Sequence, residues 1–215
     1  MGEHREALFT LFTVRETVKR LLKDRDLIYV VNKHFPSTDQ DQLTFNVFSD
    51  ISTRICCKQK GMNVTMALSL IAVKNKSDVL PHTLVVFNNN CTKVDVSFAR
   101  NLNMRYPNVH ILLAIKGPIT SFARAALLEQ GNEIFSFDEL SFYLPAHVPK
   151  HRALSIAEVQ KLMARYKMVE KRCFPEISKS DAVVKWYNFS VDVVVEITRV
   201  TQNGEKYFYY RRVVK

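Results

Sequence analysis

The sequence predicts an α/β domain over residues 1–142 followed by a small α+β domain over residues 143–215. Three observations lead there. An amphipathic helical period opens the chain, continuous apolar runs rich in β-branched residues follow it, and a capped helix and a hairpin come after two closely spaced prolines.

Leu11, Val14, Val18, Leu21 and Leu22 recur at helical spacing while Arg15, Lys19, Arg20 and Lys23 take the other positions, so the first element is an amphipathic helix ending near Asp26. Residues 32–41 (NKHFPSTDQD) are polar and read as a loop. Residues 65–73, 83–87 (TLVVF), 94–98 and 109–115 (VHILLAI) read as strands, separated by turn residues such as Asn75, Ser77, Asn88, Pro107 and Asn108. Their apolarity is continuous rather than alternating, which predicts strands covered on both faces.

Pro145 and Pro149 interrupt any regular element and mark the domain junction. Ser155 and Glu158 then have the spacing of a capping box, and Ile156, Val159, Leu162, Met163 and Tyr166 continue a helical period. Residues 193–200 and 206–213 form the expected hairpin around Asn203-Gly204, a pair that favours a tight turn.

Composition narrows the function classes. With 47% apolar and 24% charged residues in 215, the chain has the balance of an ordinary globular protein. The longest apolar-leaning run, residues 62–73, is shorter than the roughly 20 residues of a membrane helix, and the N-terminus is charged. The expectation is an intracellular protein without a membrane partner. Cys56, Cys57, Cys91 and Cys173 lack paired spacing, which suits reduced thiols. The net charge of +10 implies a polyanionic neighbour, and residues 141–215, with 14 Lys and Arg against 7 Asp and Glu, hold +7 of it.

His147 and His151 stand four apart, the spacing with which one helix face grips zinc. Pro149 between them breaks such a face, and His4, His34, His82 and His110 are scattered, so the expectation is hydrogen-bonded loop histidines and no metal. There is no Asp-x-Lys or Glu-x-Lys nuclease pattern, no phosphate-binding GxxxxGK[ST] loop, no GxSxG elbow and no dinucleotide fingerprint. The reading assigns no catalytic residues and no cofactor. The alternatives left open are a free-standing basic nucleic-acid-binding adaptor and an unusual nuclease.

Three stretches resemble one family. Residues 11–26 (LFTVRETVKRLLKDRD) are similar to its first-helix signature, and residues 119–127 (ITSFARAAL) to its Thr-Pro-Ser-Ala element. Residues 148–151 (VPKH), 174–177 (FPEI), Ser180-Asp181, 193–199 and 207–213 (YFYYRRV) follow its C-terminal domain in order. The family is the fifth common subunit of multisubunit DNA-dependent RNA polymerases, which has archaeal as well as eukaryotic members. The resemblance implies a non-catalytic subunit, one copy in a hetero-oligomer. It implies a jaw domain over residues 1–142, a nuclease-like sheet with flanking helices and no active site, lying along downstream double-stranded DNA. An assembly domain over residues 143–215 would dock on the largest polymerase subunit. The residues so placed near DNA are Lys116, Thr120, Ser121 and Arg124; for assembly they are His147, Pro149, His151, Pro175, Ile177, Asp181, Lys185, Tyr210 and Arg211.

The chain departs from the family pattern at turns. Ser121 stands where the Thr-Pro-Ser element has proline, Ala182 where Asp-Pro is usual, Asn188 and Asp192 where glycines are usual, and Asn203-Gly204-Glu205 in place of Thr-Ala-Gly. Lost glycines predict altered loop conformations. The drift, together with an N-terminal domain that archaeal members lack, implies a divergent eukaryotic lineage or a large DNA virus, and hence the nucleus, or the host cytoplasm or virion.

Overall fold

The apolar stripe at the start of the chain folds as helix α1 (Gly2–Asp24), with Leu11, Val14, Val18, Leu21 and Leu22 fully buried. Its end is set by Asp26, whose left-handed φ of 57° lets the Leu27 N–H reach the Leu22 carbonyl (2.9 Å) and the Asp26 N–H reach that of Lys23 (3.0 Å). The computed structural model describes residues 2–30, 70–73, 83–89, 92–141 and 148–215. They fall into two compact units, Met1–Tyr143 and Leu144–Lys215. The loop expected at residues 32–41, the first part of the run at 65–73, Cys56, Cys57, Cys91 and His147 lie outside the described residues.

In the first unit β1 (Ile28–Val30), β2 (Leu70–Val73), β3 (Thr83–Asn88), β4 (His110–Ile115) and β5 (Glu133–Ser136) form a sheet in that order. The first two pairings are antiparallel and the last two parallel. Parallel neighbours need crossovers, supplied by α2 (Val96–Arg105) and α3 (Ser121–Leu128). Leu84 and Val86 of β3, with Ile111, Leu113 and Ile115 of β4, pack with Ala99 and Leu102 of α2 and Ala123 and Leu127 of α3. The alternate residues Val85, Phe87, Leu112, Ala114 and Phe135 are buried on the other face. This double coverage is the reason the strands read as unbroken apolar runs. A short helix, α4 (Phe137–Ser141), follows β5 and packs against α1.

One strand expectation is overturned. Residues 94–98 are not a strand: Val94 makes an isolated bridge to Ile119, and Asp95 caps α2. The Asp95 carboxylate accepts from the Phe98 N–H (2.9 Å), and this bond, helped by the Ser97 hydroxyl, holds its pKa below the ordinary value.

Two buried polar groups tie the layers together. Asn132 accepts from the Ile111 N–H (2.9 Å) and donates to Asn103 (3.0 Å), which donates to the Ala126 carbonyl (3.1 Å). Arg25, just past α1, forks onto both oxygens of Glu133 at 2.7 and 2.8 Å. His110 Nε2 lies 3.2 Å from the same carboxylate. Burial raises the Glu133 pKa, but His110 and Arg25 outweigh it and leave the value lowered.

The second unit has strand order β6-β8-β9-β7, built from β6 (Lys150–Ala153), β7 (Glu176–Ser178), β8 (Val194–Val200) and β9 (Lys206–Val214). Only β7 and β9 run parallel. Helix α5 (Ile156–Arg165) starts with the capping box of Ser155 and Glu158, and α6 (Ala182–Tyr187) is capped by Asp181. The core divides between the two sheet faces: Val159, Phe174 and Val194 on one, Val184, Val195 and Val213 on the other. In the hairpin the Gly204 N–H donates to the Thr201 carbonyl (3.0 Å), and Gly204 alone of the Asn-Gly pair is left-handed, at φ 83°.

At two of the positions where the family has glycine the backbone takes the left-handed region that glycine favours. Asn188 and Asp192 keep left-handed φ values of 52° and 69°. Asn188 closes α6 as glycine would, with the Phe189 N–H on the Val184 carbonyl at 3.1 Å. Its side-chain oxygen accepts from Lys179 (3.0 Å), and Asp192 pairs with Lys171 (3.1 Å) and Arg212 (3.4 Å). These bonds offset the strain an L residue meets there.

Candidate nucleic-acid and assembly surfaces

The segment expected near DNA begins where β4 ends. The Lys116 N–H donates to the Asn88 carbonyl (3.0 Å), the Val94 N–H to Pro118 (2.8 Å), and the Thr120 N–H to Val94 (3.0 Å). The loop is thereby stitched to the chain that leaves β3, at the carboxyl ends of two parallel strands. Thr120 is extended and its Oγ1 accepts from the Ala123 N–H at 3.1 Å, capping α3. Ser121 is therefore the first helical residue, the position that tolerates proline because its N–H has no place in the helix ladder. That explains how the proline of the resembled element can be absent without loss of the turn.

Lys116, Ser121 and Arg124 are exposed here, whereas Thr120 is half-buried and engaged in the cap. The structure thus brings all four to the carboxyl end of β4, with three side chains offered to solvent and one holding the turn. The exposed carboxylate of Asp95 stands in the same stitched region.

The residues expected for assembly are spread over both faces of the second sheet. His151 Nδ1 lies 2.7 Å from the Pro149 carbonyl, a local hydrogen bond that fixes the proton on that nitrogen. The Pro175 carbonyl accepts from the Arg212 N–H (2.8 Å), and Ile177 is half-buried against the Val184 cluster. Asp181 accepts from the N–H groups of Val183 (2.9 Å) and Val184 (3.3 Å), and the Lys185 N–H returns to the Asp181 carbonyl (2.8 Å). Tyr210 packs with Val159 and Phe174 on the other face, where burial, and then Glu196, raise its pKa. Arg211 is exposed and donates to the Glu176 carbonyl (3.1 Å). Several of these side chains therefore have intradomain roles.

Two ionic clusters escape sequence reading. Arg152 bridges Glu158 (2.8 Å) and Glu196 (3.0 Å). The Ser155 N–H, Arg152 and the Ser155 hydroxyl together press the Glu158 pKa down to about 2. Arg212 joins Glu176 (2.6 Å) and Asp192, which also meets Lys171. The partners lie up to 44 residues apart, so no local spacing announces them. A groove of 690 Å³ opens between Pro149, Arg199 and Tyr207, with Lys150 and Lys206 among its lining and no acid.

The fold defines a two-unit class: a layered α/β unit followed by a small four-stranded sheet unit that exposes aromatic side chains of β9. The family model described as RNA polymerase Rpb5, C-terminal domain, matches residues 146–213. The DNA-directed RNA polymerases I, II, and III subunit rpabc1 of Dictyostelium discoideum is 27% identical over 218 residues, covering 97% of this chain and 100% of that protein. The DNA-directed RNA polymerase subunit Rpo5 of Pyrococcus horikoshii is 33% identical over 78 residues, 36% of this chain and 94% of that protein. The Rpo5 subunit of Methanosarcina barkeri is 35% identical over 68 residues, 32% of this chain and 86% of that protein. The chain belongs to the Rpb5 family of RNA polymerase subunits, accessory rather than catalytic components of that complex.

Proposed function

We propose that this chain is a non-catalytic subunit of a DNA-directed RNA polymerase, docking through residues 143–215 on the largest subunit and lining the downstream DNA path with residues 1–142. The observation that carries the reading is the match over 97% of the chain to a polymerase subunit, with the C-terminal domain model over residues 146–213 and matches over 36% and 32% of the chain to two shorter polymerase subunits. A mixed five-stranded sheet with helices packed on it supports the nuclease-like jaw. The eukaryotic relatives favour the nucleus; a gene carried by a large DNA virus would place the protein in the host cytoplasm or the virion.

Lys116, Ser121 and Arg124 contact the phosphate backbone, and Thr120 positions them by its cap. Such contacts are independent of sequence, which suits an enzyme that must slide. For assembly, Pro149, His151, Pro175, Ile177, Asp181, Lys185, Tyr210 and Arg211 shape the docking unit, and His147 belongs with them by its place in the chain.

The test is a tagged purification from native cells at about 0.5 M salt, where phosphate contacts are weak, followed by mass spectrometry. Stoichiometric recovery of two very large polymerase subunits is expected. Recovery of the chain alone, or with nucleic acid only, would favour the free-standing adaptor. In the assembled enzyme, Lys116→Glu with Arg124→Glu should weaken DNA retention and reduce its salt slope by about 2, leaving assembly intact.

A further inference from the structure

Strand β9 outruns the strand beside it. β8 pairs along it from Lys206 to Arg212, whereas β7 pairs only from Arg212 to Val214. The Val213 N–H donates to Val193 on the β8 side (2.9 Å), and the Arg212 N–H donates to Pro175 on the β7 side (2.8 Å). Peptide groups alternate in direction along a strand, so the N–H and C=O of Phe208 and Tyr210 face outward on the β7 side. Among the described residues of this unit no strand meets them there.

An unpaired apolar edge is a template for another chain, and folded proteins usually cover or blunt it. Here Tyr207, Phe208 and Tyr209 are 37%, 50% and 49% exposed, and β9 has no proline. From the register with β8, Tyr207 and Tyr209 share one face and Phe208 takes the other, so both sides of the open edge carry aromatic surface. Residues 199–215 hold five Lys and Arg against Glu205 alone. Of these, Arg212 is matched by Glu176 and Asp192.

We infer that the outer edge of β9, residues 206–210, is completed by an extended strand of a partner polypeptide whose flanks are acidic. The inference rests on the reading of residues 143–215 as a docking unit, and it moves the centre of docking from Ile177, Asp181 and Lys185 to the hairpin. Charge favours this occupant over a second copy, because two β9 edges would bring like charges together. Ring geometry favours it over nucleic acid. The Tyr207 and Tyr209 rings meet at 73° with centroids 5.4 Å apart, and Arg199 already lies 5.0 Å over Tyr209, so parallel faces for successive bases are not on offer.

The experiment compares amide hydrogen exchange of the full chain alone with that of the chain in purified polymerase. Phe208 and Tyr210 should exchange about 100-fold more slowly in the complex, while Tyr209 and Arg211, which face β8, are protected in both. Phe208→Pro removes the ring and an N–H that faces outward, breaking no bond to β8, so it should cut recovery in the complex about tenfold at raised salt. Phe208→Ala keeps that N–H and should cut it less. Should the chain enter the polymerase with Phe208 and Tyr210 exchanging at the free rate, the strand proposal fails and the subunit reading stands. Absence from the polymerase removes both. Protection in the chain alone with a doubled mass in sedimentation would assign the edge to a second copy, and protection by a DNA oligonucleotide alone would assign it to nucleic acid; either overturns the acidic strand.

Discussion

In the first unit β3 is buried at all six positions and β4 at five of six, whereas β9 in the second unit is buried at one of nine. Their charges differ in the same sense. Arg25 and Glu133 are 7% and 10% exposed and hold a fork in the interior, while Arg152 and Glu158 are 55% and 41% exposed. A domain of the second unit's size buries a smaller share of its surface than a larger one, so more of its apolar side chains remain at the boundary with water. The comparison teaches where partners are needed: among the described residues the larger unit buries its central strands β3 and β4, and the smaller one leaves the aromatic length of β9 to be met from outside.

The largest effect should come from breaking the interior fork. Glu133→Gln removes the carboxylate onto which the buried Arg25 guanidinium forks, and urea unfolding should show a loss of about 3 kcal/mol. Acid makes the same cut reversibly. Because the folded pKa of Glu133 is lowered, its contribution is present above the unfolded value near 4.3 and is lost as pH falls through the folded one.

A smaller effect of opposite sign is expected in the second unit. Helix α5 ends with Lys167 in the left-handed region, φ 52°, with the Met168 N–H on the Met163 carbonyl at 2.8 Å. Lysine gains nothing from that conformation, so Lys167→Gly should stabilise by about 1 kcal/mol in thermal unfolding. Asn188→Gly should gain less, since it also gives up the bond to Lys179. Equal gains would mean that the Lys179 bond offsets nothing.

The smallest effect belongs to the exposed cluster. The Glu158 carboxyl should titrate near 2 in an NMR pH series, the capping box surviving from neutral pH through the ordinary carboxylate range and failing as pH approaches that value. Arg152→Ala should move the midpoint up while leaving the fold intact.

These contrasts also mark what was legible in the residues. α1, β3, β4, the Ser155 capping box and the terminal hairpin follow from periodicity and local chemistry, which act within a few residues. Residues 94–98 read as a strand because Val94, Val96 and Phe98 are residue types that strands favour, while the deciding feature is one carboxylate, Asp95, placed to accept from the Phe98 N–H. The proposal for Lys116, Thr120, Ser121 and Arg124 rests on resemblance to a known turn, not on charge alone. The Arg152 and Arg212 clusters and the open edge of β9 depend on which strands become neighbours, and no window along the chain contains that.

The Arg25–Glu133 fork joins positions 108 residues apart. During synthesis at about 5–20 residues per second, the end of α1 waits on the order of ten seconds for the strand that holds its guanidinium. Until then α1 lacks both the Glu133 carboxylate and helix α4, so the first helix of the unit reaches its final packing only after residue 141 has been made.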